Sequence, residues 1–404
     1  MLPMAWAKRG PACRMAAVLG ARDADFHSAH TERGRKLRKT QFQEAATIAD
    51  REGLIAGKPI GESVQGQPSS DLDRHGISPR RKAAVLVLNW NNAAATLDCL
   101  ACLQADVEGL RPVVIDNGSC DGSSDVIARA HPDVPVVRLP DNEGFARGTN
   151  AGLRWVLAHD EYDTVVFLNN DARLSDDDLL RAVNMVQNDH SIGLLTGKIL
   201  LPDGRFWYGG GRLRRWRGGV NVFAAGRQDH GQCDSARDVT FISLAFAVTR
   251  RDVIERVGLL ANEYFFGQEE WDYSLRVRKA GYHLRYEPSI GCVHAGDGSH
   301  NNNAPEFVYN GYRNKLMFQQ HYLPRWAFPL WRMAFALYVR TIQPLTCAWI
   351  RGNKLSRSLL RFCALEALRD HAPGAQIEEA DLLEFRQRVN LSGERAATTS
   401  GRLP

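Results

Sequence analysis

The sequence predicts an α/β protein: a Rossmann-like, mostly parallel sheet with helices on both faces. Three observations carry that expectation. Continuous apolar runs recur at 83–88 (AAVLVL), 112–115 (PVVI) and 164–168 (TVVFL), the pattern of strands buried on both faces. Helix-like stretches separate them, as βαβ units require. The polar residues cluster where the apolar runs stop, at Asn89-Trp90-Asn91-Asn92, Asp116-Asn117-Gly118-Ser119 and Asn169-Asn170-Asp171. In open parallel sheets the carboxyl ends of the strands line the ligand crevice.

Taken in order, the first strand opens just after Lys82 and is followed by a helix over 93–104. The second strand, 112–115, ends at Asp116, and a helix over 123–130 leads to a third strand at 134–139. A helix over 144–158 precedes the fourth strand. Ser175 with Asp178 three residues on reads as a helix N-cap, and that helix reaches about 188. The region 192–250 is strand and loop, rich in glycine, including Gly209-Gly210-Gly211. Two further helices are expected at 251–257 and 271–280, the second ended by Gly281.

The two ends of the chain differ from this body. Residues 1–80 show little apolar periodicity, with a basic run from Arg33 to Lys39, and are expected to form a disordered tail. From 326 to 351 aromatic and aliphatic residues (Trp326, Trp331, Met333, Leu337) are punctuated by Arg332, Arg340 and Arg351. That mixture predicts amphipathic C-terminal helices over 323–404 and contact with a membrane surface.

Bulk properties narrow the function. The formal charge of +5, from 51 basic and 46 acidic residues, suits an anionic substrate or a membrane surface and is too small to argue for nucleic acid. The eight cysteines follow no ligand spacing. The one close pair, Cys99 and Cys102, falls in a helical stretch, so a reduced, cytoplasmic protein is expected. Lys8 and Arg9 follow the first apolar residues, reversing the order of a secretory signal. No run reaches the ~18–20 apolar residues of a spanning helix.

Each polar motif taken singly reads as a turn or a capped loop. Their order is more specific. An acid ends strand two, a glycine turn opens a helix at Asn142-Glu143-Gly144-Phe145, and Asp171 follows strand four. Glu269 and Glu270 then open a helix, and His294 comes later in a glycine-containing stretch. In VLNWNN (87–92), VVIDNGSCDGS (113–123), NEGFARGTNAG (142–152), FLNNDA (167–172), YFFGQEEWDYSLRVRKAGY (264–282) and CVHAGDGS (292–299), the chain resembles the family 2 glycosyltransferases of GT-A fold, in particular their rhamnosyltransferase-like branch.

The resemblance implies a nucleotide-sugar half over 81–172 and an acceptor half over 173–322. It assigns donor binding to Asn89, Asp116, Asn117, Asn142, Gly144, Arg147, Asn150, Asn169 and Asn170, with Arg147 toward the diphosphate. Asp171 matches the final acid of the family's D-x-D motif and, with His294, is expected to hold Mg²⁺ or Mn²⁺. The motif's first acid is Asn169 here, a neutral ligand that weakens the metal shell. Glu270 stands at the catalytic-base position, where aspartate is usual, with Glu269 and Asp272 as rivals. Relatives usually carry a small residue at the position of Leu244.

The implied partners are a nucleotide diphosphate sugar and a lipid-linked or polysaccharide hydroxyl acceptor, at the inner face of the cytoplasmic membrane. The competing expectation is a glycan- or nucleotide-sugar-binding protein of the same fold with impaired catalysis.

Overall fold

The structure is a computed structural model that describes residues 82–103, 109–295, 304–341, 357–371 and 377–400. The tail expected over 1–80, and the part of the aromatic segment beyond 341, lie outside the described residues.

The predicted α/β architecture is present. In chain order the first half runs β1 (Lys82–Asn89), α1 (Ala93–Cys102), β2 (Leu110–Asp116), α2 (Ser123–Ala130), β3 (Val136–Arg138), α3 (Gly144–Leu157) and β4 (Tyr162–Asn169). A two-residue strand β5 (Ala172–Arg173) and α4 (Asp176–Asn188) follow. Then come β6 (Ile192–Leu200), β7 (Phe206–Tyr208), β8 (Gly211–Arg214), β9 (Gly219–Val222), β10 (Arg237–Val239), β11 (Phe246–Arg250), α5 (Arg251–Val257), α6 (Glu269–Lys279) and β12 (His283–His294). Four helices close the chain: α7 (Pro305–Tyr322), α8 (Ala327–Thr341), α9 (Arg357–Asp370) and α10 (Glu379–Ser400).

The main sheet has the order β10-β12-β6-β11-β4-β1-β2-β3, while β8 and β9 form a separate hairpin. Strands β4, β1, β2 and β3 are parallel to one another. Their buried valines and isoleucines account for the continuous apolar runs. Register aligns Asn89 with Asp116 and Leu88 with Asn169, so the polar strand ends lie side by side. Strand β11 runs antiparallel to both β4 and β6. The residues just before β11 therefore arrive where β4 ends, and Asn169 N–H donates to Ala245 O at 2.9 Å.

The expected N-cap forms: Ser175 Oγ accepts from Asp178 N–H at 3.1 Å. Helix α6 starts at Glu269, two residues before the sequence pattern suggested, because Gln268 adopts a left-handed conformation (φ 71°) and reverses the chain there. Glu269, Glu270 and Asp272 then fall in the first turn, where the helix dipole favours acids. A second apolar cluster joins Tyr309 and Leu316 of α7, Phe335 and Val339 of α8, Cys363 and Ala364 of α9 and Phe385 of α10 to Phe265. No helix among the described residues is long and apolar enough to cross a membrane.

Candidate active site

The strand ends meet in a hydrogen-bonded base. Asn89 donates through Nδ2 to Asp116 Oδ1 (2.8 Å) and Ser119 Oγ (3.1 Å), and accepts from Thr96 Oγ1 at 2.7 Å. Asn170 Nδ2 donates to Thr96 Oγ1 (3.1 Å), extending the chain of bonds from β2 to the end of β4. Asn89 and Asp116 are buried, and their side chains hold the loops rather than line the cleft. Asn117 sets the next loop: its Nδ2 donates to Asn142 Oδ1 (3.0 Å) and Gly144 O (3.2 Å), and its Oδ1 accepts from Glu143 N–H at 3.0 Å.

Gly144 is required by geometry. Its φ is +77°, and a Cβ there would sit 2.2 Å from Phe265 O. The close approach lets Phe145 N–H donate to that same oxygen at 2.7 Å, fastening the start of α3 to the loop before α6.

Above this base opens a cleft of about 240 Å³ lined by Asn117, Asn142, Gly144, Asn169, Asn170, Asp171, Glu269, Glu270 and His294, all predicted site residues. Trp90, Trp207, Ser243, Phe265 and Phe266 complete its walls. Among the described residues its lining holds no Lys or Arg.

On one side, β5 pairs with the end of β12, bringing His294 opposite Ala172, and Ala295 N–H donates to Asp171 O at 2.9 Å. His294 Nε2 thereby sits 3.2 Å from Asp171 Oδ1 and 3.1 Å from Asn169 Nδ2, with the Trp207 ring 4.5 Å away, centroid to centroid. Asp171 Oδ2 and His294 Nδ1 are buried without a hydrogen bond. Burial lowers the His294 pKa, against the pull of Asp171, favouring a neutral imidazole.

Across the cleft, Glu270 Oε1 accepts from Leu244 N–H (2.7 Å) and Ser243 Oγ (2.8 Å). Glu270 is among the residues that line the cleft. Burial raises the Glu270 pKa, and these two donors oppose the rise. Glu269 is more tightly buried, and its Oε2 has no partner. Burial first, then the Glu270 charge, holds its pKa well above the ordinary carboxylate range. The Leu244 side chain borders a small apolar cavity with Leu88, Phe145 and Leu168, and its contribution to the cleft is the backbone N–H.

Three predicted residues lie elsewhere. Asp272 pairs with Arg276 at 2.7 Å and accepts from Tyr322 Oη. Arg147 is bound to Glu143 at 3.0 Å and donates to Ile377 O at 3.3 Å. Asn150 is buried and holds the 260–262 segment, donating to Leu260 O and Asn262 Oδ1 (both 2.8 Å) and accepting from Leu260 N–H at 2.9 Å.

Sequence reasoning missed Trp207, Ser243, Phe265 and Phe266. The aromatic run ahead of the glycines at 209–211 was the available signal for Trp207. Ser243 acts beside a backbone donor that no side-chain motif marks.

Residues 84–258 match the family model described as Glycosyl transferase family 2. The hexosyltransferase Agl10 of low-salt glycan biosynthesis, from Haloferax volcanii, is 22% identical over 194 residues, which are 45% of this chain and 58% of that protein. The N-acetylglucosaminyl-diphospho-decaprenol L-rhamnosyltransferase of Mycobacterium tuberculosis is 26% identical over 211 residues, 46% of this chain and 67% of that protein. A solved structure of GalNAc-T7 with UDP, GalNAc and Mn²⁺ superposes with a TM-score of 0.48 at 12% identity, covering 71% of this chain and 54% of that one. The family match covers the strand ends of β1, β2 and β4 together with Asp171, and the acids of α6 and His294 follow it on the same sheet and cleft. Over residues 84–258 the chain thus matches the family 2 glycosyltransferases, and among its relatives is a rhamnosyltransferase.

Proposed function

We propose that this protein is an inverting glycosyltransferase that moves a sugar from a nucleotide diphosphate sugar to a hydroxyl acceptor. The observation that carries the reading is the cleft itself, with the Asp171–His294 pair on one wall and the Glu270 carboxylate on the other.

The donor set fits a divalent cation. A buried carboxylate oxygen without a partner, a neutral imidazole and the Asn169 amide converge, and no basic side chain lines the cleft among the described residues. A diphosphate entering beside three acids needs its charge balanced. Asp171, His294 and Asn169 would hold Mg²⁺ or Mn²⁺, and the imidazole nitrogen tilts the set toward Mn²⁺. When bound, such an ion supplies charge neutralisation to the departing diphosphate.

The chain's own residues do the rest. Asn117 and Asn142 shape the donor-side loop, and Asn89, Asp116 and Asn170 keep it in register with the strand ends. Glu270 Oε2 takes the proton of the acceptor hydroxyl as that oxygen bonds to the anomeric carbon and the bond to the diphosphate breaks. One displacement from the face opposite the leaving group inverts the anomeric configuration. Glu270 suits this role better than Glu269: two donors support its anion, while burial and the Glu270 charge push the Glu269 pKa well up.

The mycobacterial relative, named for a decaprenol-linked substrate, supports a lipid-linked acceptor, and with it a peripheral position at the inner face of the cytoplasmic membrane. The test is a screen of purified protein against dTDP-, UDP- and GDP-sugars, with Mg²⁺ or Mn²⁺, for nucleoside diphosphate release. Release with one donor and inversion of the transferred sugar support the reading. Donor binding without release under every condition would leave a nucleotide-sugar-binding protein instead.

A further inference from the structure

Helix α8 has two apolar faces. Ala327, Trp331, Phe335 and Val339, four residues apart, turn inward, with Phe335 and Val339 in the second apolar core. The other stripe, Trp326 just before the helix with Leu330, Met333 and Leu337 within it, is 71, 55, 66 and 62% exposed. Its spacing of four, three and four residues places it along one side of the helix.

The hairpin of β8 and β9 meets α8. Its tip carries Trp216, 58% exposed, whose carbonyl accepts from Trp331 Nε1 at 3.1 Å and from Gln319 Nε2 at 3.5 Å. Arg212, Arg214, Arg215 and Arg217 around that tip are exposed, and none forms an ion pair among the described residues. Arg325, two residues before α8, and Arg340 near its end are exposed and flank the stripe. The hairpin and α8 contain no acid, and from 307 to 365 the sequence has nine Lys and Arg but no Asp or Glu.

We infer that the hairpin tip and the outer stripe of α8 form one docking face for an anionic lipid surface, with Trp216, Trp326, Leu330 and Met333 entering the interface and the arginines meeting headgroup phosphates. The inference rests on the membrane position proposed above and names the surface that achieves it. Charge decides between occupants. A second copy docked face to face would set arginines against arginines with no carboxylate to answer them, whereas an anionic bilayer supplies both the apolar layer and the counter-charge. The face also connects to the site: α7, which carries α8 through Tyr312 and Phe335, holds the cleft-lining loop through Asn310 to Phe266 O and Asn314 to Gly267 O.

The experiment is flotation of the full chain with phosphatidylglycerol or phosphatidylcholine vesicles, without donor or acceptor, so that its failure leaves the transferase reading standing. Wild type is expected to float with phosphatidylglycerol vesicles, less so as salt rises, and poorly with phosphatidylcholine. Reversing two arginines (Arg215→Glu with Arg217→Glu) should weaken partitioning at least ~25-fold, about fivefold for each contact. Leu330→Glu with Met333→Glu should weaken it by more than ~10-fold, at an unchanged melting temperature. Equal binding to both vesicle types, no binding, or hairpin variants that bind like wild type would overturn the composite face. So would a dimer in light scattering that the α8 variant splits while wild type ignores vesicles.

Discussion

Replacing Glu270 by glutamine separates chemistry from folding. Glu270 Oε1 accepts from Leu244 N–H at 2.7 Å and Ser243 Oγ at 2.8 Å, and a glutamine oxygen can keep both contacts. Two charge-assisted bonds become neutral ones, a loss of ~1 kcal/mol each. Removing one of two adjacent buried carboxylates returns a similar ~1–2 kcal/mol, so the melting temperature should stay within about 4 °C of wild type. The amide cannot accept a proton, and turnover should fall by ~10² to 10⁴, about 3–5 kcal/mol of barrier. The pH dependence of stability gives a second readout. Glu269 and Glu270 both titrate above the ordinary range, so the folded state keeps protons that the unfolded chain has released. The contribution of this pair to stability is therefore greatest near and below the ordinary glutamate pKa of about 4.3 and declines as pH climbs toward the folded values. Glu270→Gln should flatten that decline. Turnover is assayed as nucleoside diphosphate release at saturating donor, with donor affinity followed by tryptophan fluorescence from Trp90 and Trp207 in the cleft. Near-normal turnover in Glu270→Gln, together with its loss in Glu269→Gln, would refute the assignment and move the base by one residue.

Asp171→Ala removes the carboxylate beside His294, and divalent-dependent donor binding should weaken by at least about 10-fold in a calorimetric titration with and without Mn²⁺. Asp272→Asn should cost ~1–3 kcal/mol in denaturant unfolding, because Arg276 and Tyr322 lose a buried ionic partner, while turnover at permissive temperature stays unchanged. Gly144→Ala should cost ~2–4 kcal/mol, through its positive φ and the collision with Phe265 O, and should raise the apparent KM for donor.

Much of the sheet was legible because parallel strands buried on both faces consist almost wholly of apolar residues, and their ends were marked by abrupt polarity. The positions of Asn117, Asn169, Asn170 and Asp171 follow from that alone once the strands are in register, and Asn117 then fixes Asn142. Roles within the cleft were less legible. Asp116 and Asn150 look alike as polar residues, yet each is consumed by bonds inside the protein, Asn150 across more than a hundred residues of sequence. The orientation of Glu269 against Glu270 depends on the left-handed turn at Gln268, which the sequence does not announce in a non-glycine residue. Arg147, expected at the diphosphate, is tied to Glu143 and to Ile377, a residue 230 positions away whose packing no local pattern predicts.

The reversed direction of β11 has a consequence for how such a protein can change. Strands β1, β2 and β4 turn their carboxyl ends toward the cleft, where side-chain identity matters; the segment just before β11 meets it through the amide of Leu244, a group that nearly any residue supplies. One of the two bonds that hold Glu270 is thus written in backbone, and the other in the Ser243 hydroxyl. A change of side chain at 244 leaves that bond in place, whereas the asparagines at the strand ends are interlocked through their side chains. On the proposed function, mutational libraries aimed at new acceptors therefore belong on Leu244 and on Phe265 and Phe266, with Ser243 and the strand ends left untouched.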